Sequence, residues 1–188
     1  MFSQAKELLE HPGSIGVMPT DTVYGVVARA TDKVAVERLY QLKKRDHKPG
    51  TIIAADIEQL VSLDLKRRYL KAVEQFWPGS ISVVISCGSA ELEYLHLGLS
   101  SLAVRIPADE ELHQLLNQTG PLLTSSANTP GDPTANTVAE AKRYLGNRVD
   151  FYEDGGDLSG RQPSTLIRMV DDAVEVLRQG AGPKLDLS

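Results

Sequence analysis

Apolar positions along this chain fall into short β-branched runs and into segments of helical period, and the two kinds alternate irregularly. Ile15-Gly16-Val17-Met18 reads as a strand, and Ser3 is placed to cap a short helix ahead of Pro12-Gly13. Asp32 stands before a helical pattern over Lys33–Lys44, in which Val36, Leu39 and Tyr40 share a face. Thr51–Ala55, short and β-branched, reads as a strand, and helical patterns follow over Asp56–Leu63 and Leu65–Trp77, the second broken by Pro78-Gly79. Ser80–Ser86 and Leu102–Ile106 read as buried strands, Asp109–Gln118 as a helix and Pro121–Thr124 as a strand. Thr137 and Glu140 have capping-box spacing for a helix ending near Gly146. Phe151–Glu153, Thr165–Val170 and Val174–Arg178 complete the pattern as short strands. Strands so unevenly interleaved with helices predict an α/β protein of the α+β type. Its core is a twisted mixed sheet with surrounding helices, not a doubly wound parallel one.

Composition narrows the class. With 188 residues, 41% hydrophobic and 24% charged, the chain reads as one domain over 1–188 with a real core. A net charge of −5 gives no general nucleic-acid signal. The single cysteine, Cys87, excludes an internal disulfide and lies in apolar surroundings that suit an inert buried thiol. The charged start is no signal peptide, and no apolar run reaches transmembrane length, so a cytoplasmic protein with no membrane partner is expected. Walker, dinucleotide, nucleophile-elbow and zinc-protease motifs are absent. His11, His47, His96 and His113 are scattered without ligand spacing and read as surface residues.

Candidate chemistry begins at Pro19-Thr20-Asp21-Thr22-Val23-Tyr24-Gly25. In an extended segment Thr20, Thr22 and Tyr24 point to one side, which suits either a small-molecule pocket or a threonine-rich surface turn. Lys43 and Arg45 face apart within a helix. A helix ending at Lys44 would let both cations turn to one side, for phosphates, unless they simply favour the helix dipole. Arg105 lies in the otherwise apolar strand Leu102-Ala103-Val104-Arg105-Ile106 and, if buried, needs an anion. That anion is either an internal carboxylate or a bound acid. Ser126 and Asn128 leave a strand two residues apart, a pattern for holding phosphate or ribose oxygens or merely for stabilising a turn.

The order of these segments resembles the YrdC/TsaC family: Pro-Thr-Asp-Thr-Val-Tyr-Gly, Lys43-x-Arg45, Val104-Arg105-Ile106-Pro107, Ser126-Ala127-Asn128, Pro163-Ser164-Thr165 and Leu177-Arg178-x-Gly180. The resemblance implies a fold with a large concave, positively lined cavity. It also implies an L-threonylcarbamoyladenylate synthase, a nucleotidyltransferase that makes threonylcarbamoyl-AMP and pyrophosphate from L-threonine, bicarbonate or CO2 and ATP, for t6A37 modification of tRNA. Lys43 and Arg45 would be catalytic. ATP would be bound by Lys43, Arg45, Ser101, Ser126, Asn128 and Arg178, and threonine by Thr22, Arg105 and Ser164. Mg2+ is expected with ATP, with no protein ligand assigned to it. Tyr24 would pack one wall of the cavity, and a threonylcarbamoyl transferase complex would take the product.

Two features depart from that family. Asp46 stands where many relatives have proline, and Thr51-Ile52-Ile53-Ala54 lacks a histidine that many carry near the threonine. The chain's stop at Ser188 favours the short single-domain type. Two rival readings follow: a YciO-like paralogue with altered activity, and a non-catalytic module binding double-stranded RNA or tRNA. Net charge weighs against the second.

Overall fold

The computed structural model describes residues 2–45, 47–170 and 173–185. Asp46 therefore lies outside the described residues. In chain order the elements are α1 (Ser3–Leu8), β1 (Ile15–Pro19), β2 (Tyr24–Arg29), α2 (Lys33–Lys43), β3 (Thr51–Ile53), α3 (Ile57–Ser62), α4 (Arg67–Val73) and β4 (Ile81–Ser86). There follow α5 (Glu93–His96), β5 (Ser101–Arg105), α6 (Glu110–Thr119), β6 (Leu122–Ser126), α7 (Val138–Leu145), β7 (Phe151–Tyr152), β8 (Thr165–Val170) and β9 (Ala173–Arg178). The strands form one nine-stranded sheet, ordered β7-β1-β2-β6-β3-β5-β4-β8-β9. Parallel pairs (β1 with β7, β3 with β5, β4 with β8) are mixed with antiparallel ones, as the irregular alternation predicted.

Local chemistry sets most helix starts. Asp32, Asp56 and Asp109 accept from the backbone N–H of Ala35, Gln59 and Leu112, and Thr137 from Glu140. The expected cap at Ser3 is wrong. Ser3 is inside α1, Phe2 holds the cap position without a side-chain bond, and the Ala5 N–H is instead met by Glu153 Oε1 at 2.9 Å. A second difference is β2, for which the pattern gave no strand. Its Val26, Val27 and Ala28 are buried on both faces, so the alternation that marks a half-exposed strand is missing. A third is His96, which is 4% exposed rather than on the surface. Its Nδ1 accepts from the N–H groups of Gly98 and Ser100, and its Nε2 meets Ser89 O, so the ring pins the turn into β5.

The sheet's two faces are covered unequally. On one, Val17, Val26, Ile52, Leu123, Val104 and Ile167 pack beneath side chains of α2, α3, α4, α5 and α7. On the other, Met18, Val27, Ile53, Leu122 and Phe151 meet α1 and α6 through Ala5, Leu9, Leu112, Leu115 and Leu116. Register with Val27 puts position 16 in this second layer, and it is glycine there because a Cβ would come within 2.2 Å of the Phe151 ring. That ring is 2% exposed and has nowhere to go. Gly16→Ala is expected to cost about 1–3 kcal/mol by overpacking, a Tm loss of about 2–12 °C in a thermal melt. Among the described residues no helix is long and apolar enough to cross a membrane.

Candidate active site

Toward the other end of its strands, the α1/α6 face changes composition. The registers Gly25↔Ser126, Thr51↔Thr124 and Thr51↔Ala103 set small and hydroxylated residues side by side on it. Such a surface cannot hold a helix by apolar burial, and it remains the floor of a hollow of about 230 Å³. The rim comes from distant segments: Thr20 and Thr22 after β1, Arg45, Pro49 and Gly50 after α2, Arg105 ending β5, Pro163-Ser164 before β8, and Arg178 ending β9. Thus Thr22, Arg45, Arg105, Ser126, Ser164 and Arg178 border one space.

The cations differ in their attachments. Arg105 is 2% exposed, and its Nη1 donates to both carboxylate oxygens of Asp21, whose side chain is 10% exposed. The grip is end-on, and the buried Arg105 Nε has no hydrogen-bond partner among the described residues. Arg45 Nη1 is steadied by the carbonyls of Lys48 and Pro49 at 3.0 and 3.1 Å. Arg178, on the rim, donates from Nε and Nη2 to Ser164 O at 3.1 and 2.7 Å. Burial pulls the Arg178 pKa below its usual range, and the fields of Arg45 and Arg105 lower it further. Burial likewise lowers that of Arg45. Three guanidinium groups thus crowd a hollow to which Asp21 brings the paired carboxylate, an arrangement that favours an incoming polyanion.

The hydroxyls are oriented too. Thr20 Oγ1 donates to Val23 O at 2.7 Å and accepts from the N–H groups of Thr22 and Val23. The 3.0 Å contact with Thr22 Oγ1 ties the two hydroxyls together, and either oxygen can be the donor. Thr22 borders the hollow and offers it a hydroxyl oxygen that can accept from an amine or alcohol. Ser164 Oγ lies 2.8 Å from the fully buried Ser82 Oγ, a partner that the strand pattern did not flag. Tyr24 borders the hollow, as expected, while its ring is buried in the opposite core layer, and its hydroxyl donates to Gly156 O and accepts from Gly155 N, both at 2.8 Å. Besides packing there, it bolts the loop before β8 to β2.

Three expected residues are placed otherwise. Lys43 and Arg45 do not turn to one side. Lys44 takes the left-handed conformation (φ 46°), Arg45 borders the hollow, and Lys43 stays behind β6, 4% exposed. Asn128 does not line the hollow either. Its Oδ1 accepts from Lys43 Nζ at 2.5 Å and from Ser126 Oγ at 2.8 Å, and its Nδ2 donates to Asp132 O at 2.6 Å. Ser101 begins β5 opposite Ser86, about 13 Å along the strand from Arg105, away from the hollow. Asp21 and Ser82 were not singled out as site residues. Asp21 was visible as the acid inside the threonine-rich turn, but its partner stands 84 residues away.

A mixed sheet with a cation-rich, hydroxyl-lined hollow on its half-covered face has the chemistry to receive small polar anions. The chain belongs to the Sua5/YciO/YrdC family, whose model, described as "Telomere recombination", matches residues 9–180. A Mycobacterium leprae relative is 34% identical over 174 residues, covering 89% of this chain and 78% of that one. The threonylcarbamoyl-AMP synthase of Stutzerimonas stutzeri is 32% identical over 159 residues, covering 83% and 85%. Among solved structures, Pyrococcus abyssi Sua5 complexed with L-threonine superposes with a TM-score of 0.80 at 29% identity. That match covers 94% of this chain but only 53% of Sua5, so the chain spans about half the length of that protein. Escherichia coli YciO gives 0.79 at 27% identity, covering 96% and 89%.

Proposed function

We propose that this chain is an L-threonylcarbamoyladenylate synthase, a nucleotidyltransferase acting on L-threonine, bicarbonate or CO2, and ATP. The observation that carries the reading is the convergence of Arg45, Arg105 and Arg178 on one hollow beside Thr22 and Ser164. Arg45 and Arg178 would hold the phosphates. The unpartnered Arg105 Nε edge suits the threonine carboxylate, and Thr22 and Ser164 suit its polar groups. Ser126, whose proton goes to Asn128, would present lone pairs to the nucleotide. The space of about 230 Å³ would take the amino acid and phosphates. Whole drug-sized ligands take roughly 300–1,000 Å³, so the adenosine would extend along the open sheet face.

The threonine amine adds to CO2, loses a proton and becomes a carbamate. A carbamate oxygen then attacks the α-phosphorus of ATP, the bond to the bridging oxygen breaks, and pyrophosphate departs with the electron pair. No covalent enzyme intermediate is required. The chain's work is alignment and charge stabilisation, which together supply a large share of such barriers. Among the described residues no group of three or more His, Cys, Asp or Glu could hold a metal, and both Asp21 oxygens accept from Arg105. Mg2+ would therefore arrive as MgATP, held by the phosphates. The product would pass to a threonylcarbamoyl transferase complex acting on tRNA.

The test incubates the purified chain with MgATP, L-threonine and labelled bicarbonate. Labelled threonylcarbamoyl-AMP and pyrophosphate should form only when all three are present. ATP binding without any adenylate would overturn the reading in favour of a YciO-like activity. Thr22→Val should raise the threonine KM up to about tenfold, the worth of one hydrogen bond, with the ATP KM unchanged. Thr22→Ser should stay near wild type.

A further inference from the structure

α2 ends in a buried cation that turns its back on the hollow. Lys43 Nζ donates to Ser126 O at 2.8 Å, to Asn128 O at 2.5 Å and to Asn128 Oδ1 at 2.5 Å. An ammonium has three N–H donors, so none is left for a ligand. Asn128 Oδ1 also takes the Ser126 Oγ proton, which closes the turn around the cation. We infer that Lys43 is a positioning residue, fastening the Ser126–Asn128 turn from behind and thereby fixing Ser126 at the edge of the hollow. The inference rests on the synthase reading only for the identity of the ligand served. The fastening is a property of the free protein.

Charge gives the fastening a pH signature. Among the described residues, the charged group acting on Nζ is Arg45, on the segment leaving α2; the turn facing it contributes carbonyl and amide oxygens. Burial, aided by Arg45, lowers the Lys43 pKa to about 8. A neutral amine would bring two N–H donors and a lone pair to three acceptors, so one contact turns repulsive and the turn loosens above pH 8. Global stability moves the other way. Since the ordinary value is 10.5, the unfolded chain binds more protons between about 8 and 10.5. The penalty for burying the cation is full below that window and is shed as pH rises through it.

Hydrogen exchange on the ligand-free protein tests this. Protection of the Asn128 and Asp132 amides should fall at least about tenfold in Lys43→Met and, in wild type, on passing pH 8. Lys43→Arg, which cannot deprotonate, should lose the alkaline step. ATP affinity completes a double-mutant cycle: Lys43→Met combined with Asn128→Ala should be no weaker than the weaker single variant. If Lys43→Met does not fold, Asn128→Ala alone should abolish the alkaline step. Unchanged protection, or multiplicative losses of ATP affinity, would overturn the inference and make Lys43 a direct phosphate ligand. A fastened turn in a chain that forms no labelled adenylate would sink the synthase reading and leave the inference standing.

Discussion

Arg45→Ala is expected to lower threonine- and bicarbonate-dependent pyrophosphate release by about 10²–10³-fold, the usual consequence of removing one preorganised charge-stabilising group. Arg45 is held by two carbonyls before any ligand arrives, so its guanidinium needs little reorganisation as charge builds on the departing pyrophosphate. Arg178 cannot cover the loss, because two of its nitrogens are engaged by Ser164 O. Arg45→Lys should recover only part of the rate, since an ammonium lacks the planar fork. The fold should survive, because no described carboxylate depends on Arg45 and its burial already disfavours the charge. Steady-state kinetics and a thermal melt on the same preparation check both halves. Near-normal turnover would remove Arg45 from the phosphate site.

Asp21→Asn should have the largest effect on stability. It keeps the shape of the side chain but strips the counter-charge from Arg105, which is 2% exposed. Breaking a buried pair from one side costs about 3–5 kcal/mol, because the remaining charge stays desolvated and unpaired. In a chain of 188 residues that corresponds to a Tm loss of about 6–20 °C. Asp21→Asn combined with Arg105→Met should recover much of that stability but none of the activity. Small anions such as tripolyphosphate should stabilise Asp21→Asn more than wild type, since they can replace the missing carboxylate. A single variant as stable as wild type would mean that solvent, not Asp21, neutralises Arg105.

Much of the fold was legible because its determinants are local. Asp32, Asp56, Asp109 and Thr137 each cap a helix through a bond spanning three residues, and those helices begin where the sequence places them. β2 escaped because burial on both faces erases the polar–apolar alternation that marks a strand. α5, four residues long, carries too little periodicity to register. Within the candidate site, the segments that supply its rim were legible as motifs, but the direction of each side chain was not. Two residues of spacing said nothing of whether Lys43 and Arg45 share a side, because a left-handed Lys44 separates them. Ser126 and Asn128 looked like equivalent ligands, yet Asn128 spends its amide on Lys43, Ser126 and Asp132.

The sequence by itself determined the caps of α2, α3, α6 and α7, the turn after β1, the mixed character of the sheet and the family, since these depend on neighbours within a few residues or on the order of short segments. Only the tertiary structure decided that Asp21 neutralises Arg105 across 84 residues, that Glu153 caps α1 across 148, and that Lys43 grips the Ser126–Asn128 turn. Such partners are chosen when strands distant in the chain become neighbours in the sheet. Desolvation then obliges each buried charge and N–H to take whatever opposite group the fold has brought within reach.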